Sequence, residues 1–131
     1  MLDDDRLRDV WERVLPRPEP ITFFSRRSGS NQNLFHEYQI PRAKRKRLNE
    51  EQIANLKGAY LASRYRVWQI WLESLQAATA VSGAPLPVPE PKVNDLFRDR
   101  DGIEWIVEDV IIKLQANESP QVRNYLCIRK I

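Results

Sequence analysis

Apolar positions along the chain recur with two different periods, and the change from one to the other marks out the elements. In residues 3–15 (DDDRLRDVWERVL), Leu7, Val10, Trp11 and Val14 fall at i, i+3, i+4 and i+7, one stripe of an amphipathic helix. Asp3, Asp4 or Asp5 caps it, and acids suit the positive end of the helix dipole. Pro16, Pro18 and Pro20 end the helix and predict a stiff extended spacer. The period then drops to two. Residues 21–25 (ITFFS) and 34–40 (LFHEYQI) read as strands on either side of a polar, turn-rich loop, so 21–48 is a hairpin with a mobile tip at 26–33. Leu34, His36, Tyr38 and Ile40 form the inward set of the second strand. Pro41, with no N–H to give a ladder, falls at a bend or on an edge.

Residues 49–81 fit two patterns. Asn49 and Gln52 start a helix, and Ile53, Leu56, Tyr60, Ser63, Val67 and Ile70 continue its spacing as one long amphipathic helix. Gly58 and the β-branched and aromatic run 65–72 (YRVWQIWL) fit equally well a short helix at 49–56, a turn, and a strand near 65–73. Residues 82–92 (SGAPLPVPEPK) hold four prolines and predict an extended arm. From 93 to 131 the pattern is a β-meander. Asp101-Gly102 makes the first turn, because both residue types tolerate positive φ, and Trp105 faces the core. The chain is mainly β (α+β).

With 131 residues, the chain is one domain, 1–131. A single cysteine excludes a disulfide framework, and one cysteine with one histidine excludes the usual structural zinc sets. Apolar runs reach only about four residues, which excludes a membrane span or signal-peptide core. The net charge of +3 is unevenly spread: residues 21–48 hold seven bases and one acid, whereas residues 1–20 hold four bases and six acids. Most of the excess is Arg42, Lys44, Arg45, Lys46 and Arg47. This basic patch either neutralises phosphates, with release of counterions, or is a solvated strand paired with the acidic N-terminal segment.

Catalytic chemistry finds no constellation. His36 and Cys127, the only members of their types, lie in separate expected strands, and a nucleophile needs its base beside it. No cofactor or metal is expected. Asp95, Asp99, Asp101 and Glu104 lack the spacing of a calcium loop, and Arg98 and Arg100 between them oppose a cation, so they read as solvated turn charges. Asn117-Glu118-Ser119 matches a glycosylation sequon in form only. Trp68 and Trp71, with Tyr60, Tyr65, Arg64 and Arg66 nearby, read as core or subunit-interface residues, or else as a platform for single-stranded bases.

Gly58-Ala59-Tyr60, Val67-Trp68, Pro91-Lys92-Val93-Asn94-Asp95 and the run Asp99 to Val107 (DRDGIEWIV) resemble a pattern in small virion proteins of tailed phages. The pattern is a lysine–apolar–glycine–aspartate lead-in, a D-x-D-G-x-x-W-x-V hairpin, and an aromatic-x-Cys strand matched by Tyr125-Leu126-Cys127. The group is the head–tail connectors: head-closure, adaptor and tail-completion proteins. The similarity spans residues 58–130. Asn94 stands where the pattern has glycine, and the arm 82–92 and the N-terminal helix are additions. The resemblance implies a small antiparallel β-barrel or sandwich, to which the residues add an N-terminal helix and one further short helix, and it favours a strand at 65–73. It also implies a non-enzymatic virion protein of the neck, made in the bacterial host cytoplasm, that connects or closes the DNA-filled head and joins the tail. Its partners would be neighbouring copies in a ring and portal, connector or tail proteins, with non-specific DNA contact and no membrane. Leu7, Val10, Trp11, Val14, Trp68 and Trp71 are then the interface residues, and the run 42–47 faces a partner or the outside, not the lumen. The alternative is a small β-barrel nucleic-acid-binding protein that uses Arg42, Lys44, Arg45, Lys46 and Arg47 on phosphates.

Overall fold

The runs with a period of two become strands of a single antiparallel sheet. The computed structural model describes residues 17–26, 35–48, 52–53, 63–111 and 121–130. Within them lie β1 (Glu19–Arg26), β2 (Phe35–Lys46), β3 (Tyr65–Trp71), the short helix α1 (Leu72–Gln76), β4 (Thr79–Val81), β5 (Leu96–Arg98), β6 (Glu104–Ile111) and β7 (Val122–Arg129). The sheet order is β1-β5-β6-β7-β3-β2-β4, and β1 also pairs with β2, so the ladder returns to the strand where it began. Leu7, Val10, Trp11 and Val14 lie outside the described residues, as do positions 27–33 of the expected mobile tip; Arg26 belongs to β1.

The first hairpin joins Phe23 to Tyr38 and Phe24 to Glu37, and Tyr38 and Ile40 point inward. The strand does not stop at Pro41. Ile21 faces Ile40 and Glu19 faces Ala43, so Pro41 and Arg42 together oppose Pro20 in a bulge. A bulge accommodates a residue without an N–H and shifts the alternation by one. Beyond it Ala43 and Arg45, not Arg42 and Lys44, turn inward.

The ambiguous stretch is a strand from Tyr65 to Trp71, and a one-turn helix follows at once. β3 lies between β2 and β7, with Trp68 opposite Arg45 on one side and Tyr125 on the other. Trp68 and Ile70 enter the core, while Tyr65, Val67 and Gln69 on the opposite face are buried as well. A strand covered on both faces loses its two-residue alternation, which is why a helical spacing also fitted it.

The interior is filled by rings from six strands. Phe23 meets Tyr38 at 5.9 Å and Phe97 at 5.7 Å, and Phe97 meets Tyr125 at 5.6 Å. Trp68 and Trp105 pack edge to face at 6.2 Å. Each large side chain buried here contributes about 1.5–3 kcal/mol. In β6 the extra residue Glu108 flips the alternation, so that Val110 packs on the core after Trp105 and Val107. Glu108 in turn accepts the Tyr65 hydroxyl at 3.2 Å.

Residues 82–92 are not a free arm. The Tyr38 hydroxyl donates to the Pro85 carbonyl at 2.6 Å, Ala84 and Val88 pack on the core, and Glu90 meets Arg123 at 3.1 Å. Prolines without N–H groups leave few donors to satisfy, so the segment lies against the sheet as extended chain. Leu86 is its one large apolar side chain that projects into solvent.

Candidate functional site

The short strand β5 is bracketed by two aspartates, and both are buried. Asp95, before the strand, accepts the Arg26 backbone N–H at 2.9 Å and the Lys92 N–H at 3.0 Å, and so ties the end of β1 to the turn at 92–95. Asn94 in that turn has φ 76°, a left-handed conformation that asparagine tolerates nearly as glycine does. Asp99, after the strand, accepts the N–H groups of Asp101 at 2.9 Å and Ile103 at 3.0 Å, and the Trp105 indole N–H at 3.1 Å. Gly102, at φ 83°, donates to the Asp99 carbonyl at 3.0 Å, and the Asp99 N–H donates to that of Ile103 at 2.9 Å. This is a three-residue hairpin loop with glycine in its left-handed position. The turn at Asp101-Gly102 is where the sequence puts it. Asp95 and Asp99 are not the solvated charges expected: the N–H groups made available by the turns replace their water.

Burial raises the Asp95 carboxyl above its usual 3.8, against the pull of its two backbone donors and of the Lys92 and Arg26 charges. A carboxyl raised in this way holds its proton in the folded chain at a pH where the unfolded chain has released it. Its contribution to stability is therefore greatest on the acid side and falls as pH rises through the window above 3.8. Urea unfolding of the wild type and of Asp95→Asn checks this: the wild type gains stability relative to the variant on acidification from neutral pH. A difference that does not change with pH, as for an ordinary solvated carboxylate, or that falls on acidification removes Asp95 as the titrating group.

The basic run is a strand, and its members separate. Arg45 is 8% exposed and points inward, 3.8 Å from the Asp99 carboxylate and with its guanidinium 5.4 Å from the Trp105 ring centre. Arg42 lies on the outer face over Trp71, at 5.3 Å. Lys44 and Lys46 share that outer face, and Arg47 follows the strand end. The five do not form one surface, because alternation sends Arg45 into the core.

Trp68 has no exposed surface, so neither a base nor a neighbouring copy reaches it. Trp71 is half-buried under Arg42. His36 and Cys127 lie on β2 and β7, which do not pair. Burial pushes the Cys127 thiol well up, which keeps it protonated and poorly nucleophilic. Among the described residues no group of three histidines, cysteines or carboxylates is placed to hold a metal ion, and no helix is long and apolar enough to cross a membrane.

The sequence reading missed Glu19 and Arg100, which pair at 3.5 Å beside the β5–β6 hairpin with Glu19 buried. Nothing local marks that pair, since it is made by the β1–β5 ladder. No protein family matches the chain, and no curated protein or solved structure similar to it was found.

Proposed function

We propose that the chain is a structural subunit of the phage head–tail junction, of the head-closure, adaptor and tail-completion group, and that its sheet is a small closed β-barrel. The observation that carries this reading is the use to which the resembling residues are put. Asp95 holds the Lys92–Asp95 turn to β1, Asp99 holds the hairpin, Gly102 makes its turn, and Trp105 fills the interior. A docking part needs such a rigid corner, whereas a catalytic loop needs groups left open to substrate.

The barrel is supported by the ladder. A path from Glu37 of β2 through Phe24, Leu96, Ile106, Ile128 and Tyr65 comes back to β2 beyond Lys46, a stagger that tilted, closed strands require. Tyr38, Trp68, Phe97, Trp105 and Tyr125 fill its interior, so DNA passes between copies and not through one. A ring of copies makes heterologous contacts, one surface against a different surface of the next. The subunit works without a cofactor and is not an enzyme. The nucleic-acid alternative loses the Arg45 and Trp68 it would have used, because both are inside.

Immunogold labelling of purified particles, with copy counting by mass spectrometry, tests the reading. Label at the head–tail junction in a ring-like copy number is the expected result. Absence from the particles overturns it.

A further inference from the structure

The topology gathers positive charge that is dispersed along the sequence. β2 ends, β3 begins and β7 ends at the same end of the sheet. Lys46 pairs with Val67, so Arg47 lies beside Arg66, and Tyr65 pairs with Ile128, which brings Arg64 and Arg66 beside Arg129. The Arg64 guanidinium donates to the Arg129 carbonyl at 3.0 Å, which holds the two strand ends together. Lys130 completes the group. Lys46, Arg47, Arg64, Arg129 and Lys130 thus converge from three strand ends that carry no acid among the described residues, whereas Arg66 is buried and donates to the Ser63 and Tyr65 carbonyls. From the neighbouring strand β6, Glu104 lies 3.4 Å from the Lys130 ammonium and Glu108 accepts the Tyr65 hydroxyl. Arg47, Arg129 and Lys130 are exposed.

We propose that this end of the sheet binds the phosphate backbone of nucleic acid without sequence preference. The partner follows from the chemistry. Guanidinium groups from adjacent strand ends form a broad cationic surface, and neutralising a polyanion there releases its condensed counterions. The surface differs from the run 42–47: it keeps Lys46 and Arg47, leaves out Arg42, Lys44 and Arg45, and adds Arg64, Arg129 and Lys130 from the ends of β3 and β7. It also turns Lys46 and Arg47 toward DNA, contrary to the expectation that the run faces away from it. The inference does not depend on the protein's being a virion component.

Fluorescence anisotropy of a short labelled DNA duplex, titrated with the full chain at several KCl concentrations, tests it. The variant Arg47→Gln/Arg64→Gln/Arg129→Gln/Lys130→Gln binds at least about tenfold more weakly, with a salt slope flatter by roughly 3–4, because each phosphate contact adds about 0.9 to that slope. The variant Arg42→Gln/Lys44→Gln, from the same basic run but away from this end, keeps wild-type affinity and slope. Should the fourfold variant not fold, by circular dichroism, Arg47→Gln alone flattens the slope by about one. No binding by the wild type at about 50 mM salt overturns the proposal and leaves an acidic protein surface as the occupant. An equal loss in Arg42→Gln/Lys44→Gln overturns it too.

Discussion

Asp99→Ala lowers stability by about 3–5 kcal/mol, because it removes the ion-pair partner of a buried cation and the acceptor of three donors, the Trp105 indole N–H buried among them. The carboxylate takes N–H groups from Asp101, Ile103 and Trp105, and Arg45 is 3.8 Å away at 8% exposure. At roughly 1–3 kcal/mol per molar urea, the unfolding midpoint falls on the order of 2 M. The partner of the pair behaves differently. Arg45→Met keeps an apolar stem against Trp105 and leaves Asp99 its three donors, so it costs under about 2 kcal/mol. Asp99→Asn falls between the two: one oxygen still serves the backbone donors, but its NH2 group faces the Trp105 indole N–H or Arg45. Asp101→Ala, two residues away and exposed, costs less than about 1 kcal/mol. A small loss for Asp99→Ala, equal to that for Asp101→Ala, would show that the carboxylate does not brace the hairpin.

Trp68→Ala costs about 3–5 kcal/mol, the range for emptying a large aromatic site in a core. Its ring is fully buried and packs edge to face on Trp105. The indole Nε1 is buried without a hydrogen-bond partner. Trp68→Phe therefore loses volume but also removes an unsatisfied donor, whose burial costs about 1–3 kcal/mol, and retains most of the stability. Thermal or urea unfolding of the pair, read beside DNA affinity, separates packing from base stacking. Large destabilisation by Trp68→Ala with wild-type DNA affinity and stability near wild type in Trp68→Phe is the expected outcome. A Phe variant as unstable as the Ala variant would mean that ring size alone governs the site.

How much of this was legible depends on where each residue's partner lies. The Asp101-Gly102 turn is local chemistry, since the left-handed position is set within a few residues, and the sequence shows it. Tyr38 and Ile40 follow from alternation over the same strand. Asp95 was misread because one of its donors, the Arg26 N–H, comes from a strand 69 residues away. Asp99 was misread although its donors are local, since its enclosure is completed by Arg45 from β2, 3.8 Å away. Arg45 turns inward because a bulge at Pro41 shifts the alternation, and a proline predicts a break in pairing without saying on which side the strand resumes. β3 was ambiguous for a third reason: burial on both faces erases the period that identifies a strand. The cationic strand ends are invisible in one dimension, because Arg47, Arg64 and Arg129 meet only through the ladder.

Both edges of β1 are hydrogen-bonded, one to β2 next in the chain and the other to β5, where Phe23 faces Phe97. The first pairing closes a short loop, while the second must close most of the chain, which makes it the slow contact in folding. Until then the hairpin presents a bare edge carrying Phe23 and Phe24, and a bare edge is a template for another chain's strand. On the ribosome that edge cannot be covered before Arg98 has been synthesised. The interval in which two nascent copies can pair wrongly is therefore set by the rate of translation and not by the stability of the finished protein.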